Sequence, residues 1–349
     1  MNKPKLIMMV GLSASGKSTI AKELAVIEDA AIVSSDEIRG EICPGGVQDQ
    51  SMNEMVFLEF RKRIVDILKS DRSVIADATN ITIKRRAATL AVVRDIDCEK
   101  IAYIVPKTIA DCVIDDKARE YSVGEAVITR QRASFQVPFK EEGFDKIIIH
   151  RFEKEKSYDA MGAALKHMRV FDQKNPHHKG TLLRHSCDVV DRFIYSGEPV
   201  GNRALLYFGS LHHDVGKLFT QTFDDEGVAH YYNHANVGAY WFISQAYLEF
   251  DPDYSDVFLD NTFLINYHML PFDWNTDKAR EKWLGVFGKE KFDALMVLHK
   301  CDVGREKKPV EKEIKSSADT YDSDIDLEDI AWQTERHMKQ LREEISREA

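Results

Sequence analysis

The stretch that decides the fold of the first half of the chain is KLIMMVGLSASGKST, residues 5–19. A short apolar run opens it, and Gly11–Thr19 then matches the pattern G-x-x-x-x-G-K-[ST]. A strand followed by this loop and a helix points backbone N–H groups and the helix dipole at an anion. The sequence therefore predicts a phosphate-binding loop.

This loop predicts a site for ATP, or another nucleoside triphosphate, with Mg²⁺. Lys17 is expected to neutralise the β- and γ-phosphates, and Ser18 to offer its hydroxyl to the Mg²⁺ ion. The residues expected to contact the nucleotide are Gly11, Ser13, Ala14, Ser15, Gly16, Lys17, Ser18 and Thr19.

The pattern around the loop predicts an α/β fold. Four further apolar runs rich in valine and isoleucine lie at residues 30–36, 73–80, 100–106 and 145–152. Stretches with helical periodicity separate the runs, for example residues 18–26 and 57–70. Such alternation is typical of a parallel sheet covered by helices on both faces. Residues 1–152 are therefore predicted to form a P-loop domain.

The pattern changes after Phe152, where helix-period segments replace the strand-like runs. This change predicts a second, all-α domain over residues 153–308. Residues 309–349 are assigned to a charged linker and a C-terminal helix with one narrow apolar stripe. That stripe predicts a helix that packs on the body of the protein.

Composition narrows the class of protein. The chain has 349 residues, 44% of them hydrophobic and 30% charged, which suits about two soluble domains. The early apolar run is too short for a signal peptide or a membrane span, so a cytoplasmic protein without a membrane partner is expected. The five cysteines lack a C-x-x-C pair, which argues against disulfides and a thiolate zinc site. The formal charge of −10 argues against a large, positively charged surface that binds nucleic acid.

Polar residues after the second and third strands predict the acceptor side of the site. Asp36 and Arg39 share a face if a helix begins where the second strand ends. The carboxylate can accept the proton of an attacking hydroxyl, and the guanidinium can pair with a phosphate of the acceptor. A helix cap with an exposed ion partner is the alternative. Asp77 is expected to interact with the ligands of Mg²⁺ or with the acceptor. The alternative is that it caps the next helix.

A segment with little apolar periodicity, residues 125–138, carries Arg130 and Arg132. It is predicted to form a lid helix that places an arginine over the transferring phosphoryl group, with Arg130 as the catalytic candidate. A solvated basic helix is the alternative.

Residues 5–152 resemble the P-loop polynucleotide kinase family, which phosphorylates the 5′-hydroxyl ends of RNA or DNA with ATP. The resemblance is carried by GLSASGKST, SSDEIR, DATN followed by an arginine pair, and VITRQRASFQVPFKEEGFD. It implies that Asp36 is the general base and that Arg39 clamps the acceptor phosphate. The chain departs from the family at DDKARE, where an arginine-asparagine pair is common. This departure leaves open which lid arginine acts and whether the acceptor is a polynucleotide.

Residues able to bind a metal recur through the second half. They are His185, His213, Asp214, His234, His268 and Asp302. Imidazole and carboxylate ligands without thiolate suit Mn²⁺, Fe²⁺, Co²⁺, Ni²⁺, Mg²⁺ or Zn²⁺. Neighbouring residues on a helix point about 100° apart, so His213 and Asp214 can share an ion only at a helix end, which Val215 and Gly216 are expected to form. One such histidine is more often a core residue, whereas the ordered set predicts a metal centre.

Residues 165–305 resemble the HD phosphohydrolase superfamily. HKGTLLRHSCDVV and LHHDVGKLFTQTFDDEGVAHYYNHANVGAYW look most like the HD domain of some bacterial tRNA nucleotidyltransferases, which cleaves 2′,3′-cyclic phosphates and removes 2′-phosphates. The resemblance implies one metal position formed by His185, His213, Asp214 and Asp302. It implies a second position formed by His234 and His268, which shares Asp214. Lys217 is expected to grip the phosphate, and His212 to pack in the core.

Together the two halves predict a bifunctional RNA end-healing enzyme. RNA cut by transesterification has a 5′-hydroxyl and a 2′,3′-cyclic phosphate, which a 5′-kinase and a metal-dependent 2′,3′-phosphatase convert to ends that a separate ligase accepts. The expected partners are ATP and RNA ends, with DNA ends as the alternative acceptor. A second hypothesis is a nucleoside or sugar kinase fused to an HD nucleotide phosphohydrolase. A third is an ATP-driven switch whose histidine domain is a metal-bound scaffold.

Overall fold

The structure, a computed structural model, describes residues 3–46, 50–152, 159–174, 180–195, 206–250 and 255–304. The chain divides into two compact units, Met1–Glu155 and Lys156–Ala349. The linker and tail helix predicted at 309–349 lie outside the described residues.

The first unit is built on a five-stranded parallel sheet. Its strands are β1 (Lys5–Val10), β2 (Ala31–Ser34), β3 (Val74–Asp77), β4 (Glu99–Ile104) and β5 (Lys146–Ile149). The order across the sheet is β2-β3-β1-β4-β5, and every neighbouring pair is parallel. The parallel sheet predicted from the five apolar runs is confirmed, with each strand shorter than its run.

Helices cover both faces of this sheet. They are α1 (Lys17–Ile27), α2 (Ser35–Ile42), α3 (Asn53–Leu68), α4 (Ile83–Val92), α5 (Ile109–Lys117) and α6 (Glu125–Ala133), with a 3₁₀ turn at Lys140–Glu142. Ile7 and Met9 of β1 pack against Ile20 of α1. Leu6 and Met8 point to the opposite face, because side chains alternate along a strand, and they are also fully buried.

The second unit is mainly helical. Its helices are α7 (Ala160–Val170), α8 (Leu182–Tyr195), α9 (Tyr207–Leu211), α10 (Lys217–Thr220), α11 (His234–Trp241), α12 (Ser255–Tyr267) and α13 (Asp277–Asp302). A π-helical turn and a 3₁₀ turn extend α11 to Glu249, a further 3₁₀ turn (Leu270–Asp273) precedes α13, and α13 is broken at Gly288. None of the helices in the described ranges combines the length and the apolarity that a membrane crossing requires.

A short antiparallel hairpin departs from the all-helical prediction for this unit. Strand β6 (Gln221–Phe223) pairs with β7 (Ala229–Tyr231). Asp224 holds the turn between them, because its carboxylate accepts hydrogen bonds from the backbone N–H groups of Glu226 and Val228. Strands of three residues are too short to show the alternation of polar and apolar residues that identifies a strand in a sequence.

The helix that precedes His213 ends earlier than predicted. Helix α9 stops at Leu211, residues 212–216 form successive turns, and α10 begins at Lys217. His213 and Asp214 therefore lie in a connection between two short helices and not in the last turn of one helix, which removes the 100° restriction on their directions.

Candidate functional site

The phosphate loop joins the end of β1 to the start of α1. Gly16 has a φ of 90°, a left-handed conformation that glycine adopts at low cost. The N–H of Gly11 donates to the carbonyl of Thr79 at 3.0 Å, which ties the loop to the segment after β3. Because β1 lies between β3 and β4, the loop leaves the sheet at its topological switch point, where α/β proteins bind ligands.

A cavity of about 850 Å³ opens beside this loop, which suits a nucleotide. The predicted site residues that line it are Ser13, Ala14, Ser15, Gly16, Lys17, Ser18, Thr19, Asp36, Arg39, Asp77 and Arg130. Gly11 is the predicted contact that does not line the cavity, since it lies behind the loop at the end of β1.

The acceptor candidates belong to α2, which begins directly after β2. Ser34 caps the helix by accepting a hydrogen bond from the N–H of Glu37. Asp36 is exposed and Arg39 is buried, and both line the cavity.

Burial and two nearby carboxylates act on the pKa of Lys17 in the phosphate loop. Its side chain is buried and its Nζ donates to the carbonyl of Leu12. Burial lowers the pKa of Lys17 to about 8, and the carboxylates of Asp77 and Asp36 act in the opposite direction. The negative charge of a bound nucleotide would favour the protonated form of Lys17, as these carboxylates do.

The lid candidate α6 is fastened to the phosphate loop by Gln131. The N–H of Ser13 donates to Gln131 Oε1 at 2.8 Å, and Gln131 Nε2 donates to Ser13 Oγ at 2.9 Å. The neighbouring Arg130 is exposed and lines the cavity. Gln131 could not be identified from the sequence, because the helix has little apolar periodicity and its orientation cannot be inferred from spacing.

Asp116, one of the two aspartates that depart from the kinase family pattern, supports the segment before α6. The buried carboxylate of Asp116 accepts hydrogen bonds from Ser122 Oγ at 2.6 Å and from the N–H of Gly124 at 2.9 Å. Arg119 lies 3.7 Å from the same carboxylate and lines the cavity. This segment therefore has its own structural reason for an acidic residue.

The six predicted metal ligands lie together in the second unit. They are His185 of α8, His213 and Asp214 of the connection before α10, His234 at the start of α11, His268 just after α12, and Asp302 at the end of α13. Five separate segments therefore contribute to one cluster.

Asp214 lies at the centre of this cluster, and its two oxygens face different groups. Oδ2 is 3.4 Å from the Nε2 atoms of both His185 and His213. Oδ1 is 3.1 Å from Nε2 of His234 and 3.5 Å from Nε2 of His268. Such a carboxylate has the geometry to bridge two cations.

Asp302 completes the group on the Oδ2 side. Its Oδ1 is 3.0 Å from Nε2 of His185 and 3.7 Å from Nε2 of His213. Burial lowers the pKa of His213, but the carboxylates of Asp214 and Asp302 outweigh burial and raise it to about 10.

Backbone carbonyls orient three of the rings. The Nδ1 atoms of His213, His234 and His268 lie 2.8, 2.8 and 2.9 Å from the carbonyl oxygens of residues 210, 231 and 265. A carbonyl accepts only, so this contact assigns a hydrogen to Nδ1. In the neutral imidazole, which is the form that binds a metal, Nε2 then carries a lone pair directed into the cluster.

This arrangement fits a metal ion better than an apolar core. The Nε2 atoms of His234 and His268 face each other at 3.1 Å, where two lone pairs repel unless a proton or a cation lies between them. Among the described residues, the buried Nε2 of His213 has no hydrogen-bond partner. A bound divalent cation would satisfy these atoms together.

Lys217 is held against the shared carboxylate. Its Nζ is 2.7 Å from Asp214 Oδ2 and donates to Gln173 Oε1 at 3.0 Å. Burial raises the pKa of Asp214, whereas the Lys217 ammonium lowers it, and the result is a pKa well below the usual range. Gln173 and the Tyr231 ring, which lies 5.4 Å from Nζ, are contacts that the sequence analysis did not identify.

His212 is a core residue, unlike its neighbour. Its ring stacks on Trp241 with a centroid distance of 6.2 Å, and its Nδ1 lies 3.0 Å from the carbonyl of Phe208. Burial lowers the pKa of His212 to about 4, so the ring is neutral.

Gly216 allows α11 to approach the cluster. A Cβ atom at this position would lie 1.9 Å from the carbonyl oxygen of His234 and 2.7 Å from the N atom of Gly238. Its φ of −62° is ordinary, so close packing and not backbone freedom requires glycine here. This contact brings His234 next to Asp214.

Comparison with known proteins supports the assignment of the first unit. The sequence profile of a family described as an AAA domain matches residues 6–138. With the loop geometry, this match identifies a kinase-like P-loop domain, which implies a nucleotide with Mg²⁺ as its ligand. Comparison with curated proteins found no match.

Several solved structures resemble part of the chain. A chain of a Pnkp1/Rnl/Hen1 RNA repair complex has 21% identity and a TM-score of 0.34, with 38% of this chain and 43% of that chain covered. A gluconokinase from Sinorhizobium meliloti 1021 has 12% identity and a TM-score of 0.34, with 44% and 86% covered. The Mycobacterium tuberculosis APS kinase CysC has 17% identity and a TM-score of 0.31, with 44% and 92% covered. Scores of this size establish neither a shared substrate nor a shared partner.

Proposed function

We propose that the protein is a bifunctional RNA end-healing enzyme. Its first unit would be an ATP-dependent polynucleotide 5′-hydroxyl kinase, and its second a metal-dependent 2′,3′-cyclic phosphodiesterase and 2′-(3′-)phosphatase. The observation that carries the proposal is the convergence of four imidazoles and Asp302 on Asp214 in a chain that also has a phosphate loop facing Asp36 and Arg39. A separate ligase would use the products.

In the kinase step, the 5′-hydroxyl oxygen forms a bond to the γ-phosphorus while the bond from that phosphorus to the β–γ bridging oxygen breaks, releasing ADP. Asp36 accepts the hydroxyl proton, and Arg39 pairs with a phosphate of the acceptor. Lys17 would neutralise the β- and γ-phosphates, Ser18 would help to hold Mg²⁺, and Arg130 would lie over the transferring group.

In the second unit, His185, His213 and Asp302 would hold one divalent cation with Asp214 Oδ2, and His234 and His268 a second one with Oδ1. Mn²⁺, Ni²⁺, Co²⁺, Fe²⁺ and Zn²⁺ all suit these ligands. When bound, such ions neutralise phosphoryl oxygens and lower the pKa of water. The backbone carbonyls keep the imidazole lone pairs directed inward, and Lys217 provides a further cation for the phosphate.

The kinase assignment is tested by phosphate transfer from γ-labelled ATP to a 5′-hydroxyl RNA. Lys17→Ala and Asp36→Asn should abolish transfer, because one removes the phosphate cation and the other the proton acceptor. Lys22→Ala is the matched control, since Lys22 is exposed on α1 and does not line the cavity. Full transfer by Asp36→Asn would remove this residue from the proposed mechanism.

The phosphatase assignment is tested by phosphate release from RNA with a 2′,3′-cyclic phosphate in the presence of Mn²⁺ or Ni²⁺. Asp214→Asn should abolish release and Mn²⁺ binding together, because both cation positions share this carboxylate. Asp225→Asn, in the exposed hairpin turn, is the matched control. Release that persists in Asp214→Asn would contradict the assignment.

The second candidate is a nucleoside or sugar kinase fused to an HD nucleotide phosphohydrolase. The net charge of −10 favours it, since RNA affinity gains from the release of counterions by basic residues. The KM of an RNA acceptor should rise steeply with salt concentration, whereas the KM of a neutral acceptor should barely change.

A further inference from the structure

Arg85 is a further cation at the acceptor end of the cavity, and the kinase step described above does not use it. It lies in the first turn of α4 and lines the cavity together with Asp36 and Arg39. Its guanidinium carbon is 4.2 Å from the centroid of the Phe57 ring, which is a cation–π contact. Phe57 belongs to α3 and lines the same cavity.

Arg85 adds to a cluster of positive charge. Burial lowers its pKa, and the guanidinium groups of Arg61 and Arg39 act in the same direction. Within the described ranges, no carboxylate forms an ion pair with Arg85. The positive charges of neighbouring arginines create a local positive potential that an anionic ligand relieves.

The contact with Phe57 is compatible with phosphate binding. The guanidinium carbon lies 4.2 Å from the ring centroid, and a guanidinium has five N–H donors, which can make a two-pronged contact with phosphate oxygens. The ring also limits the rotamers of Arg85 before a ligand binds, which reduces the entropy lost on binding.

We propose that Arg85, supported by Phe57, binds a second phosphate of the acceptor, next along the strand from the phosphate that Arg39 binds. The inference rests on the proposed kinase function and deepens it. The two arginines come from different helices, α2 and α4, and this separation favours one phosphate for each. The shortest acceptor that fills both positions is a 5′-hydroxyl dinucleotide 3′-phosphate.

The test compares KM for a 5′-hydroxyl mononucleotide 3′-phosphate with KM for a dinucleotide 3′-phosphate. Arg85→Gln should raise KM for the dinucleotide about tenfold, the effect of one lost charge-assisted hydrogen bond, and leave the mononucleotide unchanged. Arg39→Gln should raise KM for both acceptors. The slope of log KM against log salt should fall by about 0.7 for the dinucleotide in Arg85→Gln.

Two further variants separate charge and stacking. Arg94→Gln removes the same charge from an exposed position just after α4, outside the cavity, and should leave KM and the salt slope unchanged. Phe57→Leu keeps an apolar side chain without the aromatic face, and should raise KM for the dinucleotide by about twofold to fivefold. Thermal melting checks that each variant is folded.

An equal rise in KM for both acceptors in Arg85→Gln would mean that Arg85 shares the phosphate of Arg39, and would overturn the inference. Unchanged KM for both would overturn it as well. Equilibrium binding of the dinucleotide without ATP tests Arg85 separately from the reaction, and equal affinities of wild type and Arg85→Gln would again contradict the inference. Absence of transfer to every hydroxyl acceptor, with normal dinucleotide binding, would instead refute the proposed kinase function.

Discussion

Replacement of Gly216 by alanine should disrupt the metal centre and leave the phosphate loop intact. The added Cβ would lie 1.9 Å from the carbonyl oxygen of His234, the first residue of α11. The backbone angles of Gly216, φ −62° and ψ −19°, suit alanine, so the expected effect comes from packing alone. The clashing atom is backbone and cannot rotate away as a side chain would.

The size of the effect follows from the distances. A relaxed carbon–oxygen contact needs roughly 3.4 Å, so the start of α11 must move by about 1.5 Å, the difference between roughly 3.4 Å and 1.9 Å. Nε2 of His234 is 3.1 Å from Asp214 Oδ1 in the native arrangement. Metal–ligand distances vary by only about 0.2 Å, so the cation position on the Oδ1 side should be lost. A displacement of this size should lower phosphate release about 100-fold, and overpacking should cost about 1–3 kcal/mol of stability.

Calorimetric titration with Mn²⁺ counts the bound ions in wild type and Gly216→Ala. Wild type should bind about two, and the variant about one with slow phosphate release. Gly285→Ala is the matched control, because a Cβ there meets no atom within 4 Å, and this helical position should gain up to about 1 kcal/mol. Full Mn²⁺ binding and wild-type release by Gly216→Ala would refute the role of this contact in placing His234.

Four further predictions concern stability and the lid. Arg86→Met should destabilise the first unit by about 3–5 kcal/mol, measured by urea unfolding. Two Arg86 nitrogens contact the carboxylate of Glu142 at 2.7 Å, and the substitution would leave this buried charge unpaired. Gln131→Ala should lower kcat of phosphoryl transfer about 30-fold, since its two hydrogen bonds to Ser13 contribute roughly 1 kcal/mol each, or about 2 kcal/mol together. Burial raises the pKa of Glu249 from 4.5 to about 7, so its stabilising contribution is complete below pH 4.5 and is lost as pH rises through about 7. The Tm of wild type should therefore fall relative to that of Glu249→Gln between about pH 5 and about pH 8. Removal of bound metal by a chelator should lower Tm. The free energy of unfolding should fall by about 2.7 kcal/mol relative to that of the protein with free metal at 100 times its Kd.

Each of these predictions has a contrary result. An unchanged urea midpoint in Arg86→Met would contradict the importance of the buried pair. Wild-type kcat in Gln131→Ala would show that the lid needs no connection to the loop. Parallel pH profiles of Tm for wild type and Glu249→Gln would contradict the effect of burial, and a Tm insensitive to chelator and added Mn²⁺ would argue against a metal centre.

The sequence predicts the fold of the first unit well, for a physical reason. Strands buried on both faces are continuous apolar runs, and a glycine-rich loop after the first run has few other uses. The three-residue strands β6 and β7 were missed, because local periodicity is absent at that length.

In both sites, the sequence could not predict the directions in which the side chains point. The spacing of His185 and Asp302 does not show that α8 and α13 bring their side chains to 3.0 Å. Residue types placed both in the predicted metal centre, and only the resemblance to a family assigned them to one metal position. Gln131 gave no signal, and Arg85 stood out only as part of the arginine pair that follows DATN. Their roles depend on which face of a short helix meets the cavity. The sequence predicts a helix end at the glycine of LHHDVGK, whereas the structure explains this glycine by the close approach of α11.

The central claim is that one chain carries two separate chemistries at its two sites. The most direct measurement is mass analysis of both termini of one RNA, with a 5′-hydroxyl and a 2′,3′-cyclic phosphate, after incubation with ATP and Mn²⁺. Wild type should yield a 5′-phosphate and a 2′,3′-diol, Asp36→Asn only the altered 3′ end, and Asp214→Asn only the altered 5′ end. If folded single variants lose both conversions together, or wild type alters neither terminus, the account is contradicted.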